Sequence, residues 1–260
     1  MSTATLQGRT APRTGFRRVL IFTPLPGYAL ALYFLWGSAA SPWLKAAASV
    51  GMPAGLLLLG GLGVMALGRL LPPLDRGMGT RPDRTIRNAG GNYETTFLKT
   101  GAESHGRYEL LRVEVEPGGG NEWHYHRTFE EQFTVLSGEL TVGLDGQETV
   151  LAAGEVAIAP AGRLHYFRNH TGAPATLMVQ ATPAAGLEKS IRVAYGLAND
   201  GQWEKDDVFP RNPWHLFLLL GYSETYLPHL PGWVQEPLVD ALARIAQWKG
   251  EDRDLTPYFE

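Results

Sequence analysis

The chain has 260 residues, which is enough for one sizeable domain with additional segments or for two small domains. Its formal net charge of −3 provides no basic field, so a nucleic-acid partner is not expected. The absence of cysteine excludes disulfides, thiolate metal sites and cysteine nucleophiles.

The N-terminal part combines a basic tail with two apolar runs. Residues 1–18 are polar and arginine-rich and are predicted to be a disordered tail. Two runs without charged residues follow, Val19 to Leu44 and Ala46 to Gly68, separated by Lys45. A helix needs about 20 apolar residues to cross a bilayer core. We therefore predict two transmembrane helices within residues 19–71, arranged as a hairpin.

The flanking charges predict the orientation of this hairpin. Arginines lie outside both outer ends of the runs, whereas the turn between them contains only Lys45. The positive-inside rule then places both termini, and the domain that follows, on the cytoplasmic side of an inner or plasma membrane. In a first alternative the first run is a cleaved secretory signal, since it ends in the small residues 38–40. In a second, both runs form a buried core hairpin, which the lack of any polar face disfavours.

Short strands are predicted to follow a linker at residues 72–90, which is rich in proline, arginine and glycine. In Leu111, Val113 and Val115, apolar residues alternate with charged ones, which indicates a strand with one buried face. Asp145-Gly146 lies between two such runs and predicts a tight hairpin. Further strands are predicted near residues 94–100, 130–137, 147–151, 155–159, 163–169 and 175–182.

Residues 186–260 are predicted to be helical. The helices are expected at Leu187–Leu197, Trp214–Leu220 and Trp233–Trp248. The last one is amphipathic, with an apolar stripe of Val234, Leu238, Leu242, Ile245 and Trp248. Its aromatic residues suit a membrane surface, but its acidic polar face favours packing against the strand domain or a second subunit.

Three histidines and one glutamate of the strand region have the spacing of a metal site. His124 and His126 are two residues apart and share one strand face, Glu131 opens the next strand, and His165 lies on a later one. If these faces point inward, the imidazole nitrogens and the carboxylate suit manganese, iron, nickel, copper or zinc. Four protein ligands leave positions open on a six-coordinate metal, as catalysis requires.

These residues lie within two longer motifs. The first, G-x5-H-x-H-x4-E-x6-G, is formed by Gly118, His124, His126, Glu131 and Gly138. The second, G-x5-P-x-G-x2-H-x3-N, is formed by Gly154, Pro160, Gly162, His165 and Asn169. With both motifs, the chain resembles the cupin superfamily, in particular compact bacterial single-domain cupins.

The resemblance implies a mainly β fold, with a cupin jelly-roll barrel over about residues 91–185. The transmembrane hairpin and the C-terminal helices lie outside this pattern. The resemblance also implies that His124, His126, Glu131 and His165 bind a divalent transition metal. Glu130 is the alternative carboxylate ligand, but the spacing to Gly138 favours Glu131.

The expected function is that of a membrane-anchored cupin metalloenzyme of dioxygenase type, in which Glu131 supplies negative charge and proton transfer. The substrate is expected to be a small apolar or aromatic molecule, because apolar strand residues would line a pocket: Phe133, Val135, Leu140, Val142 and Phe167. The same residues could also be plain core. The alternative function is a non-catalytic sensor or small-ligand-binding module at the membrane. The resemblance also implies a homodimer paired through strands.

Overall fold

The computed structural model describes residues 41–79, 81–204 and 209–260. The chain divides into two compact units, residues 1–60 and 61–260. Helix α1, Pro42–Leu70, begins in the first unit and ends in the second. The predicted disordered tail and nearly all of the first apolar run lie outside the described residues.

The predicted membrane hairpin is not supported by the part of the chain that the structure describes. No helix in the described ranges is both long enough and apolar enough to cross a bilayer. Helix α1 nevertheless has several exposed leucines, namely Leu57, Leu58, Leu59, Leu62, Leu67 and Leu70.

The second unit begins with ten short antiparallel strands. They are β1 (Thr85–Asn88), β2 (Tyr93–Lys99), β3 (Glu109–Val115), β4 (Tyr125–His126), β5 (Glu130–Ser137), β6 (Glu139–Leu144), β7 (Gln147–Ala152), β8 (Val156–Ala159), β9 (His165–Arg168) and β10 (Ala175–Thr182). The predicted strands 130–137 and 175–182 have the same bounds as β5 and β10. Strand β1 lies inside the segment predicted as a linker.

The strands form two main sheets. One contains six strands in the order β1-β2-β3-β10-β5-β8, and the other contains β7-β6-β9. Apolar side chains from both sheets, including Leu111, Phe133, Leu140, Val142 and Leu177, form one core. The hydrogen-bonded ladders of the described strands do not close into a continuous barrel. The domain therefore has two open sheets where a closed jelly-roll barrel was predicted.

Alternating sequence patterns account for this core. In β3, Leu111, Val113 and Val115 are buried, while Arg112 and Glu114 point to solvent. Each such buried side chain contributes roughly 1.5–3 kcal/mol relative to its exposed state. The predicted hairpin at Asp145-Gly146 is confirmed, since both residues have positive φ and connect β6 to β7.

Backbone bridges outside the named strands join the two ligand-bearing segments. His124 and His165 exchange backbone hydrogen bonds, from His124 N to His165 O at 3.0 Å and from His165 N to His124 O at 2.8 Å. Gly120 and Arg168 form a second bridge. The chain around His124 is therefore held in register with β9.

The C-terminal region is mostly helical, as predicted. It contains α2 (Leu187–Asn199), α3 (Pro213–Tyr222), β11 (Thr225–Tyr226), α4 (Gly232–Lys249), a 3-10 helix (Glu251–Leu255) and α5 (Thr256–Phe259). Strand β11 pairs with β4, so Thr225 lies opposite His126 and Tyr226 opposite Tyr125. This pairing joins the C-terminal region directly to a ligand-bearing strand.

The buried face of α4 differs from the predicted apolar stripe. Gln235, Val239, Ala243 and Ala246 are buried, whereas Trp248 is exposed. Small residues allow close contact here: a Cβ on Gly221 would lie 2.8 Å from the Ala243 side chain. The helix therefore packs through its alanines and exposes one of its largest apolar residues.

Candidate metal centre

The four predicted ligands come from four positions along the strand region. His124 precedes β4, His126 ends β4, Glu131 lies in β5 and His165 begins β9. The motif glycines help to place these strands. Gly138, with a φ of 76°, makes the turn from β5 to β6, where a Cβ would lie 2.9 Å from the Pro174 carbonyl oxygen.

The structure brings all four predicted ligands together. One ligand atom from each lies within 4.8 Å of every other, a cluster that could bind a metal ion. The Glu131 Oε2 atom is 2.9 Å from His165 Nε2 and 3.6 Å from His126 Nε2. His126, Glu131 and His165 are 3, 5 and 2% exposed, and only His124 is partly exposed. The cluster is therefore largely buried.

Each imidazole is oriented through its Nδ1 atom. The Nδ1–H groups of His124 and His165 donate to the backbone carbonyls of Glu122 and Arg163, at 2.7 and 2.9 Å. The Nδ1–H of His126 donates to the Ser223 carbonyl at 3.2 Å. This arrangement directs all three Nε2 atoms at the cluster, as carbonyl partners do in metal sites.

A buried nitrogen atom without a hydrogen-bond partner shows whether the cluster suits a metal ion. The Nε2 atom of His126 is buried and has no hydrogen-bond partner among the described residues. An unpaired buried polar atom costs about 1–3 kcal/mol. A cation at the centre of the cluster would remove this cost, and three imidazole nitrogens with one carboxylate are a donor set for a divalent transition metal. The residues present therefore fit the implied ion.

The electrostatics of the cluster differ from one ligand to the next. Loss of hydration, together with the charges of the neighbouring imidazoles, lowers the pKa of His124 to about 3 and keeps this ring neutral. Burial opposes the charged form of Glu131, but the neighbouring His126 imidazole and the hydrogen bond with His165 outweigh it and hold the pKa of Glu131 well below its usual range. The carboxylate is therefore ionised and acts only as an acceptor.

A cavity of about 150 Å³ adjoins the cluster. His124, His126 and Glu131 line one part of it, and Phe133 and Phe167 contribute aromatic surface. An engineered cavity of similar size, lined by apolar side chains, accommodates benzene. The cavity next to the cluster therefore has room for a molecule about the size of one aromatic ring.

Helix α2 forms a wall of this cavity through Leu187, Ile191, Ala194 and Tyr195. Its start is held by β3, because the buried carboxylate of Glu109 accepts the backbone N–H groups of Leu187 and Glu188 at 3.1 Å each. These contacts satisfy N–H groups that a helix N-terminus leaves unpaired. The sheet therefore positions the helix that closes the site.

The segment around β11 also contributes residues that the sequence analysis did not identify. Ser223 and Thr225 line the cavity, and Thr225 Oγ1 lies 3.2 Å from His126 Nδ1. Glu224, between them, is buried and pairs with Arg76 at 2.7 Å and Arg127 at 2.6 Å. A two-residue strand has no periodic pattern, so no sequence signal identified this support.

The remaining predictions for individual residues have mixed outcomes. Glu130 is exposed, so Glu131 is the carboxylate of the cluster. Phe133 and Phe167 line the cavity, whereas Val135, Leu140 and Val142 are packed in the sheet core. The motif residue Asn169 has a structural role, since its amide donates to the carbonyls of Val115 and Ala173.

Comparison with known proteins identifies the strand region. The family described as "Cupin domain" matches residues 111–180, so this segment is a cupin domain. An uncharacterized protein of Aquifex aeolicus is 34% identical over 70 residues, which are 27% of this chain and 57% of that protein. Nectarin-1 of Nicotiana langsdorffii × Nicotiana sanderae is 35% identical over 74 residues, or 26% of this chain and 32% of that protein. The chain thus spans about a third to just over half of these curated relatives.

Among solved structures, a sugar phosphate isomerase from a cupin superfamily, from Silicibacter pomeroyi, is 30% identical. The similarity covers 44% of this chain and 77% of that one, with a TM-score of 0.34. The helices of the C-terminal region lie outside the matched cupin segment.

Proposed function

We propose that the cupin domain is the catalytic part of a metal-dependent oxygenase that acts on a small molecule about the size of one aromatic ring. One observation carries this proposal: three imidazole Nε2 atoms and one ionised carboxylate meet at the wall of a largely apolar cavity. A structural metal would not need such a cavity beside it.

The size of the cavity limits the substrate class. A volume of about 150 Å³ accommodates a benzene-sized molecule. The aromatic faces of Phe133 and Phe167 favour a planar or apolar body. Single-ring phenols and small oxygen-bearing molecules of similar volume are therefore the substrates to test first.

The residues of the site have separable roles. A redox-active divalent metal, when bound by the four ligands, would supply electron transfer and open coordination positions. Glu131 would supply negative charge at the bound ion, and its carboxylate is the proposed acceptor of a proton from a substrate hydroxyl. Phe133, Phe167 and the apolar residues of helix α2 provide apolar wall surface in the cavity.

Metal content and oxygen consumption test the proposal together. The full chain is purified without metal, loaded separately with Fe(II), Mn(II), Co(II), Ni(II), Cu(II) or Zn(II), and analysed for bound metal. Each sample is then screened for oxygen uptake with single-ring phenols and catechols. We expect about one metal per chain and uptake with a redox-active ion. A chain that binds metal but consumes no oxygen with any of these compounds would contradict the oxygenase proposal.

A second experiment distinguishes the enzyme from the alternative function, a non-catalytic sensor or ligand-binding module. His126→Ala is compared with His170→Ala, because His170 is exposed and lies outside the cluster. Loss of turnover with retained ligand binding in His126→Ala alone supports an enzyme. Ligand binding by the wild type without any turnover supports the module.

Membrane association of residues 19–71 is a further part of the proposal. The exposed leucines of α1, and the absence of acidic residues from 19 to 74, favour contact with lipid. In that arrangement the cupin domain lies on the cytoplasmic side. The full chain should remain in the membrane pellet after alkaline carbonate extraction, and release into the supernatant would contradict membrane insertion.

Homodimerisation through strands is supported by the outer face of the six-stranded sheet. Leu136 in β5 and Val156 and Ile158 in β8 are exposed there and form an uncharged surface. Light scattering of the detergent-solubilised chain should give twice the monomer mass. A monomer at micromolar concentration would contradict this assembly.

A further inference from the structure

Two tyrosines line the cavity together with the metal ligands. Tyr93 lies in β2 and Tyr195 in α2, so both are outside the matched cupin segment. They are 6 and 8% exposed, and both line the cavity that His124 and Glu131 also line. The cavity therefore combines a metal-binding part with a phenolic part from other regions of the chain.

One hydrogen bond joins the two tyrosine hydroxyls, with Tyr195 as the donor. The Tyr195 hydroxyl donates to the Tyr93 hydroxyl oxygen at 2.9 Å. Asn88 lies close enough to influence both hydroxyl groups, and Thr95 influences that of Tyr195. Among the described residues, the Tyr195 hydroxyl provides the Tyr93 oxygen with a donor, and no hydrogen bond uses the proton of Tyr93 itself.

Packing alone does not account for the two hydroxyl groups. The Tyr93 ring makes edge contacts with Phe167 and Tyr195, at centroid distances of 5.6 Å each, and phenylalanine would preserve both contacts. Burying a hydroxyl without a complete set of partners costs free energy. Burial also raises the pKa of both phenols, so both remain protonated donors at neutral pH.

We propose that the Tyr93 hydroxyl donates a hydrogen bond to an oxygen atom of the substrate, at a point separate from the metal ligands. Tyr195 is a positioning residue, because its own proton is directed to Tyr93 and orients that hydroxyl. This inference rests on the proposed function, since it assumes that the substrate occupies the cavity beside the metal. The substrate class is then a compact molecule with two oxygen groups, one for the metal and one for Tyr93.

Matched probes test this arrangement with the full chain loaded with Co(II). Benzoate offers a carboxylate for the metal, whereas 3- and 4-hydroxybenzoate add a hydroxyl oxygen that can accept from Tyr93. Dissociation constants are measured by titration calorimetry and by the visible absorption of the bound cobalt. We expect the better hydroxybenzoate to bind about three- to tenfold tighter than benzoate in the wild type.

Three conservative variants separate a hydrogen bond from a structural effect. Tyr93→Phe should abolish the preference for the hydroxybenzoate while leaving benzoate affinity unchanged. Tyr195→Phe should reduce the preference without abolishing it, because Tyr93 loses its orienting donor. Tyr222→Phe is the control, since the buried Tyr222 hydroxyl has no hydrogen-bond partner among the described residues and does not line the cavity.

Each contrary result identifies the statement that fails. Equal affinities for benzoate and both hydroxybenzoates in the wild type overturn the inference and leave the metal site intact. A Tyr93→Phe variant that keeps the preference, or that weakens all probes by the same factor, also overturns it. Cobalt-loaded protein that binds none of the probes overturns the proposed function, and the inference with it.

Discussion

The matched cupin segment, residues 111–180, and the C-terminal region, residues 186–260, contribute to the same site in different ways. The cupin segment contains all four candidate ligands. The C-terminal region supplies the carbonyl that orients His126 and the helix that forms one cavity wall. The motif therefore specifies which ligand atoms meet. The C-terminal region, which has no motif, orients the His126 ring and limits the size of the cavity.

The same comparison explains why a family resemblance cannot identify a substrate. Another chain could keep the four ligands and replace α2 or β11, and its cavity would have different walls. Fold and ligand set are therefore shared properties, while the shape of the pocket is a property of this chain. Variants in each region can therefore separate the effects on the metal from the effects on the pocket.

Loss of a ligand should have the largest effect. His165→Ala removes one imidazole and the partner of Glu131, so metal affinity should fall by more than about 100-fold. Competition with a chelator followed by elemental analysis measures this change. His170→Ala, the exposed control, should retain wild-type affinity. An unchanged affinity in His165→Ala would mean that the cluster is not the metal site.

Loss of the buried charge in the C-terminal region should destabilise the fold and weaken metal binding. Glu224→Gln leaves Arg76 and Arg127 without their carboxylate, at a cost of about 1–3 kcal/mol in unfolding free energy because both arginines are partly exposed. Metal affinity should fall about tenfold, because the segment that orients His126 loosens. Glu114→Gln, in an exposed pair with Arg112, is the matched control.

The effect of Glu224→Gln should depend on pH. Burial alone would raise the pKa of Glu224, but the neighbouring Thr128, the hydrogen bond from Arg127 and the charge of Arg76 outweigh it and lower the pKa. The stability contribution is therefore complete above the unfolded-state pKa of about 4.3 and disappears as the pH falls through the lower folded value. Denaturation curves of both proteins should converge at acidic pH, and a constant difference would contradict this sign.

Enlarging the cavity should change ligand selectivity more than stability. Ile191→Ala in α2 removes wall volume, so two-ring carboxylates such as 2-naphthoate should bind at least about fivefold tighter relative to benzoate, with an unfolding cost of about 1–2 kcal/mol. Ile158→Ala makes the same chemical change on an exposed strand face. Unaltered selectivity in Ile191→Ala would mean that α2 does not limit ligand size.

The smallest effect is expected for the hydroxyl of Thr225. Thr225→Val keeps the side-chain shape but removes the oxygen 3.2 Å from His126 Nδ1, while the Ser223 carbonyl remains an acceptor. Metal affinity should therefore fall only about two- to fivefold. Chelator competition at two temperatures measures it, and a loss as large as that of His165→Ala would show that Thr225 is a principal support.

Much of the strand domain could be predicted from sequence because its signals are local. The alternation in Leu111, Val113 and Val115 identified β3, and Asp145-Gly146 identified the β6–β7 hairpin. The ligand set was predicted through the motif, since its spacing places each residue on a defined strand face. Glu131 was distinguished from Glu130 by its distance to Gly138, and the burial of the two residues agrees.

The rest depended on contacts between distant parts of the chain. Tyr195 lies on a helix that was predicted, but its place in the cavity depends on Glu109, a residue of β3. Ser223 and Thr225 belong to a strand too short for any pattern. The buried face of α4 was predicted wrongly because large apolar residues were expected inward, whereas close helix contacts select alanine.

The reciprocal backbone bond between His124 and His165 has a consequence for how this protein can change in evolution. This bond joins the two ends of the long chain segment that runs from β4 to β9, and both bonded residues are candidate ligands. Hairpin tips within this segment that do not contact either histidine strand, such as the turn between β7 and β8, can therefore lengthen or shorten without altering the distance between the two imidazoles. A one-residue shift in the pairing between His124 and His165 would instead turn both rings away from the centre of the ligand cluster. Insertions should be tolerated at those tips and selected against beside either histidine.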